Sequence, residues 1–253
     1  MSLTVGTKIC GLVDASGAGG CSIGSSDDWS LVFHLAAYRA EADLIRASLR
    51  CEMPMTSKRM EQWMSRVKPY SMLQALVVGF TEQGAAVISN LEILEKPDSG
   101  LAEIRDELLV PVIVQSPTFG AFVLDRRLDH YDGNAQWCGV EVRLSLCCSD
   151  LSNPTAALSA AESLFRAQAD WGKRAKDFAA DRLLELKNES WLGEDEQALS
   201  REEFISRMTI KDISVDESGD FDLWHDDGDL FWGHSILVSG NLAAGLADAG
   251  IHG

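Results

Sequence analysis

The sequence predicts an α+β protein in two modules: a small OB-like β-barrel, then an antiparallel sheet with helices packed on one face. Three observations carry this expectation. The first hundred residues read as strand, strand, strand, helix, strand, strand, the order of an OB-type barrel. The second half reads as two strands, then helices, then three strands, which suits an antiparallel sheet covered on one side. Between them Pro97-Asp98-Ser99-Gly100 breaks the apolar patterning. The expected boundaries are a barrel over 1–96, a linker with a short helix over 97–116, and an α+β domain over 117–253.

Taken in order, LTVGTKICGLV opens the chain as a strand candidate, and the glycine-rich DASGAGGCSIGSSDD after it reads as a loop. WSLVFHLAAY is a second strand. In LIRASLRC, Ile45, Ala47, Leu49 and Cys51 alternate with Arg46, Ser48 and Arg50, a period of two. Thr56 to Val67 is a helix, with Met60, Trp63, Met64 and Val67 at helical spacing and Pro69 closing it. SMLQALVVGF and AAVISNLEILE pair about the turn TEQG. LAEIRDELL is a short helix ending before Pro111. FGAFVLDRRLDHYDG starts the second module, with Asp132-Gly133 as a hairpin turn and QWCGVEVRLSLCC as the partner strand. One long helix runs from Ala156 to about Lys187 on the stripe Leu158, Ala161, Phe165, Ala169, Leu183. Ser200-x-x-Glu203 is a capping box for a short helix carrying Phe204, Ile205 and Met208. ISV, FDLWH and LFWGHSILV supply the last strands.

Composition excludes several classes. At 253 residues, 46% hydrophobic and 24% charged, the chain is globular and not disordered. No apolar run spans a bilayer, and MSLTVGTKIC lacks the layout of a signal peptide, so a cytoplasmic location is expected and no membrane partner. Six cysteines without C-x-x-C spacing read as reduced packing residues, not as metal ligands. The net charge of −17 is uneven: residues 1–96 hold nine Lys and Arg against ten Asp and Glu, hence −1, and the rest hold 13 against 29, hence −16. Such a surface repels phosphate backbones and attracts basic proteins.

The chemistry concentrates in GDFDLWHDDGDLFWGHSILV, Gly219 to Val238, with five aspartates and two histidines. Turning the chain at Asp227-Gly228 pairs Asp226 with Asp229, His225 with Leu230, Leu223 with Trp232 and Phe221 with His234. Phe221, Leu223, Leu230, Trp232, Ile236 and Val238 then share the core face with both histidines, and Asp220, Asp222 and Trp224 lie opposite. On this register His225 and His234 are about 13 Å apart along the strands, too far for one zinc. The spacing also fails the EF-hand pattern, since Trp224 and His234 stand where ligands belong. No metal and no cofactor are expected. Asp222, Trp224, Asp226, Asp227 and Asp229 are the candidate contacts for Lys or Arg of a partner. His234 with Asp226 or Asp229 is the candidate acid–base set of a hydrolase.

Asp227–Ile236 (DGDLFWGHSI), WGKRAKDFAADRLLELKNESW upstream and FGAFVLDRRLDHYDG together resemble the bacterial domain of unknown function 2262 over about Pro117 to Gly253. The resemblance implies a bacterial cytosolic protein and assigns no activity or site residue.

Other motifs say less. Gly20-Cys21-Ser22-Ile23-Gly24 fits G-x-S-x-G but lacks the strand-turn-helix setting of a nucleophile elbow. In the barrel, Arg39, Arg46, Arg50, Lys58, Arg59, Arg66 and Lys68, with Tyr38 or Phe33 for stacking, could meet single-stranded nucleic acid or a peptide. The leading expectation is a non-enzymatic, acidic interaction module, an immunity- or antitoxin-like inhibitor or regulator of a basic partner. The hydrolase and the OB-like binder are its alternatives; oligomeric state stays open.

Overall fold

The computed structural model describes residues 3–22, 28–194 and 196–253 and divides into two compact units, Met1–Pro111 and Val112–Gly253. The first holds β1 (Lys8–Ser22), β2 (Asp28–Ala40), β3 (Asp43–Ile45), β4 (Leu49–Thr56), α1 (Ser57–Met64), β5 (Met72–Phe80), β6 (Ala86–Ile93) and α2 (Ser99–Leu109). Its sheet runs β1-β5-β6-β4-β2-β3 and closes into a ring because β1 also pairs with β2. The parallel β4–β6 pair, with α1 between β4 and β5, gives the strand order expected of an OB type. Ile9, Leu31, Phe33, Leu35, Leu73 and Val77 fill the ring, as the period-two pattern requires.

One expectation changes in this unit. The glycine-rich stretch after Val13 is not a loop: β1 continues through it to Ser22, with a bulge between Val13 and Ala18 that lets the strand bend around the ring. Ile23 and Gly24 of the G-x-S-x-G match lie outside the described residues. The 97–116 stretch carries the expected short helix, α2, and that helix is packed into the first unit. Asp98 caps α2 by accepting from Leu101 N, and Leu101 and Ile104 pack with Leu12, Ala37 and Met72. Residues 113–116 are already a strand of the second sheet.

The second unit holds β7 (Ile113–Ser116), β8 (Gly120–Asp125), β9 (His130–Trp137), β10 (Val140–Cys147), α3 (Thr155–Arg166), α4 (Gln168–Ser190), α5 (Arg201–Arg207), β11 (Thr209–Asp216), β12 (Asp220–Asp226), β13 (Ser235–Asn241) and β14 (Gly245–His252). The eight strands lie side by side in chain order. All pairs are antiparallel except β10–β11, which the three-helix crossover makes parallel. The helices cover one face, where Leu144, Leu146, Ala161, Leu164, Ala175, Leu223 and Ile236 form the core.

Two local expectations are corrected here and a third is met. Asp132-Gly133 lies inside β9; the chain turns at Cys138-Gly139, both at positive φ (50° and 85°), which joins β9 to β10. Gly133 serves a close approach instead, since a Cβ there would meet the Phe122 ring at 2.8 Å. The long helix is broken at Ala167, which leaves helical geometry at φ −109°, ψ 21° and caps α3. The capping box at Ser200 and Glu203 forms as expected, both halves present.

Candidate functional site

The opening stretch folds differently from the two-residue hairpin. β12 pairs with β13 as Leu223 with Val238, His225 with Ile236 and Asp226 with Ser235. Residues 227–234 are therefore an eight-residue loop and not part of the ladder. Parity holds on β12, where Phe221, Leu223 and His225 are buried and Asp220, Asp222, Trp224 and Asp226 face outward. Parity fails beyond the turn: Phe231 is buried, and Trp232, expected in the core, is 65% exposed.

Asp227 explains the loop. It is 2% exposed and accepts from Asp229 N at 3.2 Å and Phe231 N at 2.6 Å, so its carboxylate pins the backbone that was read as a turn. Gly228 follows at φ 55°, and a Cβ there would strike Arg207 O at 2.6 Å. Leu230 and Phe231 dip into the core, while Trp232 lies against Trp191 at 4.8 Å. Asp227 is thus a buried loop organiser, and Asp229 is exposed on the loop.

Both histidines hold backbone carbonyls through Nδ1. The His225 ring holds Leu223 O at 3.1 Å through Nδ1 and is pushed down to about 4, first by burial and then by the nearby charge of Lys176. It stays neutral at pH 7. His234 Nδ1 holds Phe231 O at 2.6 Å, and its ring lies edge-on to Trp191. Among the described residues no hydrogen bond or ion pair joins His234 to Asp226 or Asp229. Asp226 pairs instead with Lys211 at 2.5 Å and caps Gly228 N.

The structure assembles a different site: the outer face of the second sheet, left bare by the helices. Residues that are far apart in sequence line up in one row, Asp132–Ser145–Ser214–Asp222–Ser239–Asp248, each the direct partner of the next. Hydrogen bonds run along it. Ser145 donates to Asp132 at 2.7 Å, and Ser214 and Ser239 donate to Asp222 at 3.4 and 2.6 Å. Arg143 donates two bonds to Asp132. Burial would raise the Asp132 carboxyl, but bonds from Arg143 and Ser145 hold it below the ordinary range.

Two hollows mark this face and share Cys147 and Ser214. One, of about 410 Å³, is lined by Asp216, Asp220, Asp222, Ser239 and Asn241; the other, of about 380 Å³, by His130, Arg143, Asp212 and Trp224. On the outward positions of β9 to β13, seven carboxylates (Asp132, Glu141, Asp212, Asp216, Asp220, Asp222, Asp226) stand against two cations, Arg143 and Lys211. Those cations pair with Asp132 and Asp226. Among the described residues the other five carboxylates have no ion pair. Trp224, edge-on to His252 at 5.4 Å, is the aromatic group on the face.

The face is poorly equipped for nucleophilic chemistry. Burial, then the carboxylates of Asp216, Asp222 and Asp132, raise the Cys147 thiol, so it stays protonated and weakly nucleophilic. Ser145 gives its proton to a carboxylate that Arg143 already engages, not to an imidazole base. Asp222, Trp224 and Asp226 of the expected contacts do lie here. Sequence reasoning does not reach Arg143, Asp212, Asp216 and Ser214, because only the register across β10, β11 and β12 places them on one face with Asp222.

Three basic residues of the first unit are engaged in ion pairs. Arg39 holds Asp98, Arg46 holds Glu107 and Arg50 holds Glu52. Phe33 is in the core, and Tyr38, partly buried, packs against it.

Fold and face together define an α+β protein with a grooved, acidic sheet surface. The chain matches, over residues 116–251, the family described as an uncharacterized protein conserved in bacteria (DUF2262), and it belongs to that family. A comparison with curated proteins found no match. No helix among the described residues is long and apolar enough to cross a membrane.

Proposed function

We propose that this protein is a non-enzymatic binding module whose outer sheet face docks a Lys- and Arg-rich protein segment. One observation carries the reading: seven carboxylates stand against two cations on this face, and four of them, Asp212, Asp216, Asp220 and Asp222, line two adjoining hollows, one of which also holds Trp224. Unpaired carboxylates in a concave face raise the local concentration of cations and steer their approach. An inhibitor of the immunity or antitoxin kind, covering the basic surface of its target, is the form this reading takes. It acts in the cytosol, where the six unpaired cysteines would stay reduced.

The test is fluorescence anisotropy with a labelled Arg/Lys-rich peptide and a Glu-rich control, in the presence of a chelator. The basic peptide binds and the acidic one does not, and affinity falls steeply from low to physiological salt. The double variant Asp216→Asn/Asp222→Asn and the single variant Trp224→Ala each weaken binding about tenfold, which is ~1.4 kcal/mol. Equal binding of both peptides, or unchanged affinity in these variants, removes the reading.

A further inference from the structure

We propose that Asp125, His130 and Asp132 form a binding site for a divalent transition-metal ion at the edge of the outer face. Asp125 ends β8 and His130 begins β9, and the two are direct partners across the hairpin. Asp132 follows two residues on, the same side of β9. One ligand-type atom from each of the three lies within 4.8 Å of the others.

The second observation is the state of the imidazole. His130 Nε2 is 3.1 Å from Asp132 Oδ1, yet it is closed off from solvent and makes no hydrogen bond among the described residues. The contact is right in distance and wrong in direction for N–H···O. A buried polar atom left without a partner costs roughly 1–3 kcal/mol, so such atoms are rare. An ion shared by the two groups answers both facts. Ligands set at right angles, each ~2.1 Å from an ion, stand about 3.0 Å apart.

The surroundings are those of a supported ligand set. Arg127 N donates to Asp125 Oδ1 at 2.8 Å and Ser145 Oγ to Asp132 Oδ1 at 2.7 Å, which orients both carboxylates. One imidazole with two carboxylates suits Mn²⁺, Co²⁺ or Zn²⁺ better than Ca²⁺ or Mg²⁺. Arg143, bonded to Asp132, opposes the ion and moderates its affinity. His130 also lines the hollow that holds Arg143 and Trp224, so remaining coordination positions would face that groove.

The experiment titrates the reduced 253-residue chain with Mn²⁺ by calorimetry and with Co²⁺ by absorption, without chelator. One Mn²⁺ binds per chain, and Co²⁺ binds without the near-ultraviolet band of cobalt–thiolate bonds. His130→Gln and Asp125→Asn each weaken Mn²⁺ at least tenfold while circular dichroism stays unchanged; should one variant misfold, the other decides. If wild type binds no Mn²⁺, if the folded variants bind it as wild type does, or if the thiolate band appears, the site is wrong and His130 merely neighbours Asp132. The peptide assay is run with chelator, so the two proposals fail separately.

Discussion

His225 and Asp227 stand two residues apart, and both are buried polar groups held by the backbone. They respond to different insults. The His225 ring is held neutral, its folded value of about 4 lying below the ordinary 6.5. A histidine depressed on folding destabilises the fold when it must protonate. Stability is therefore full above pH 6.5, falls as the pH drops from there to about 4, and levels off below. The span is on the order of 3 kcal/mol. Denaturant melts at pH 7 and pH 4 should show His225→Leu losing less stability over that interval than wild type by about this amount; equal losses in both would refute the neutral ring. Asp227→Ala deserts two backbone N–H groups, one of them at the buried Phe231. It should cost about 1–3 kcal/mol, whereas Asp229→Asn, at an exposed position whose positive φ of 64° Asn also tolerates, should fall within ±0.5 kcal/mol. Comparable melts for the two variants would mean the loop is not organised by Asp227.

At the scale of elements, α4 ends on an internal ion pair. Lys187 is fully buried and donates to Glu196 at 2.6 Å and Trp191 O at 2.8 Å, with Arg207 on the other oxygen of Glu196. The pair ties the helix terminus to the segment leading into α5. Removing one partner leaves a buried charge, while removing both leaves an apolar space that a methionine fills. Glu196→Ala should therefore destabilise by about 2–3 kcal/mol, and Lys187→Met/Glu196→Ala should recover part of that loss. A double variant weaker than Glu196→Ala, measured by urea unfolding, would show that the pair itself supplies net stability. Element direction follows a different cause. The parallel β10–β11 pair exists because α3 to α5 carry the chain back across the sheet before β11 begins. No residue within either strand encodes that direction.

For the whole molecule, charge dominates. Residues 97–253 carry −16 of the net −17, and on the second unit's outer face five carboxylates lack a cation among the described ion pairs. Like charges held together oppose folding, and salt screens them over about 8 Å at physiological strength. Asp212→Asn/Asp216→Asn/Asp222→Asn should raise the melting temperature at low salt, and the gain should shrink as salt rises. A Tm that falls in this variant would mean those carboxylates make stabilising contacts that outweigh their repulsion. The same substitutions should abolish basic-peptide binding, so stability and binding move in opposite directions, as expected where a surface is kept for recognition.

Much of the fold was legible because side-chain period reports where water lies. Phe221, Leu223 and His225 point inward on a period of two, and the Ser200–Glu203 box starts α5, both readable from neighbours within one turn or strand. DUF2262 membership follows from word order alone. Other features depend on atoms distant in sequence. Asp227-Gly228 reads as a tight turn until the buried carboxylate of Asp227 and the approach of Arg207 to Gly228 convert it into an eight-residue loop. Gly245–His252 lacks β-branched residues save Ile251, so β14 became a strand only beside β13. The row from Asp132 to Asp248 is likewise a product of register across six strands. Sequence by itself determined which face each residue shows to the core. Tertiary pairing decided which residues meet on the other face, because backbone hydrogen bonds between strands carry no side-chain signature.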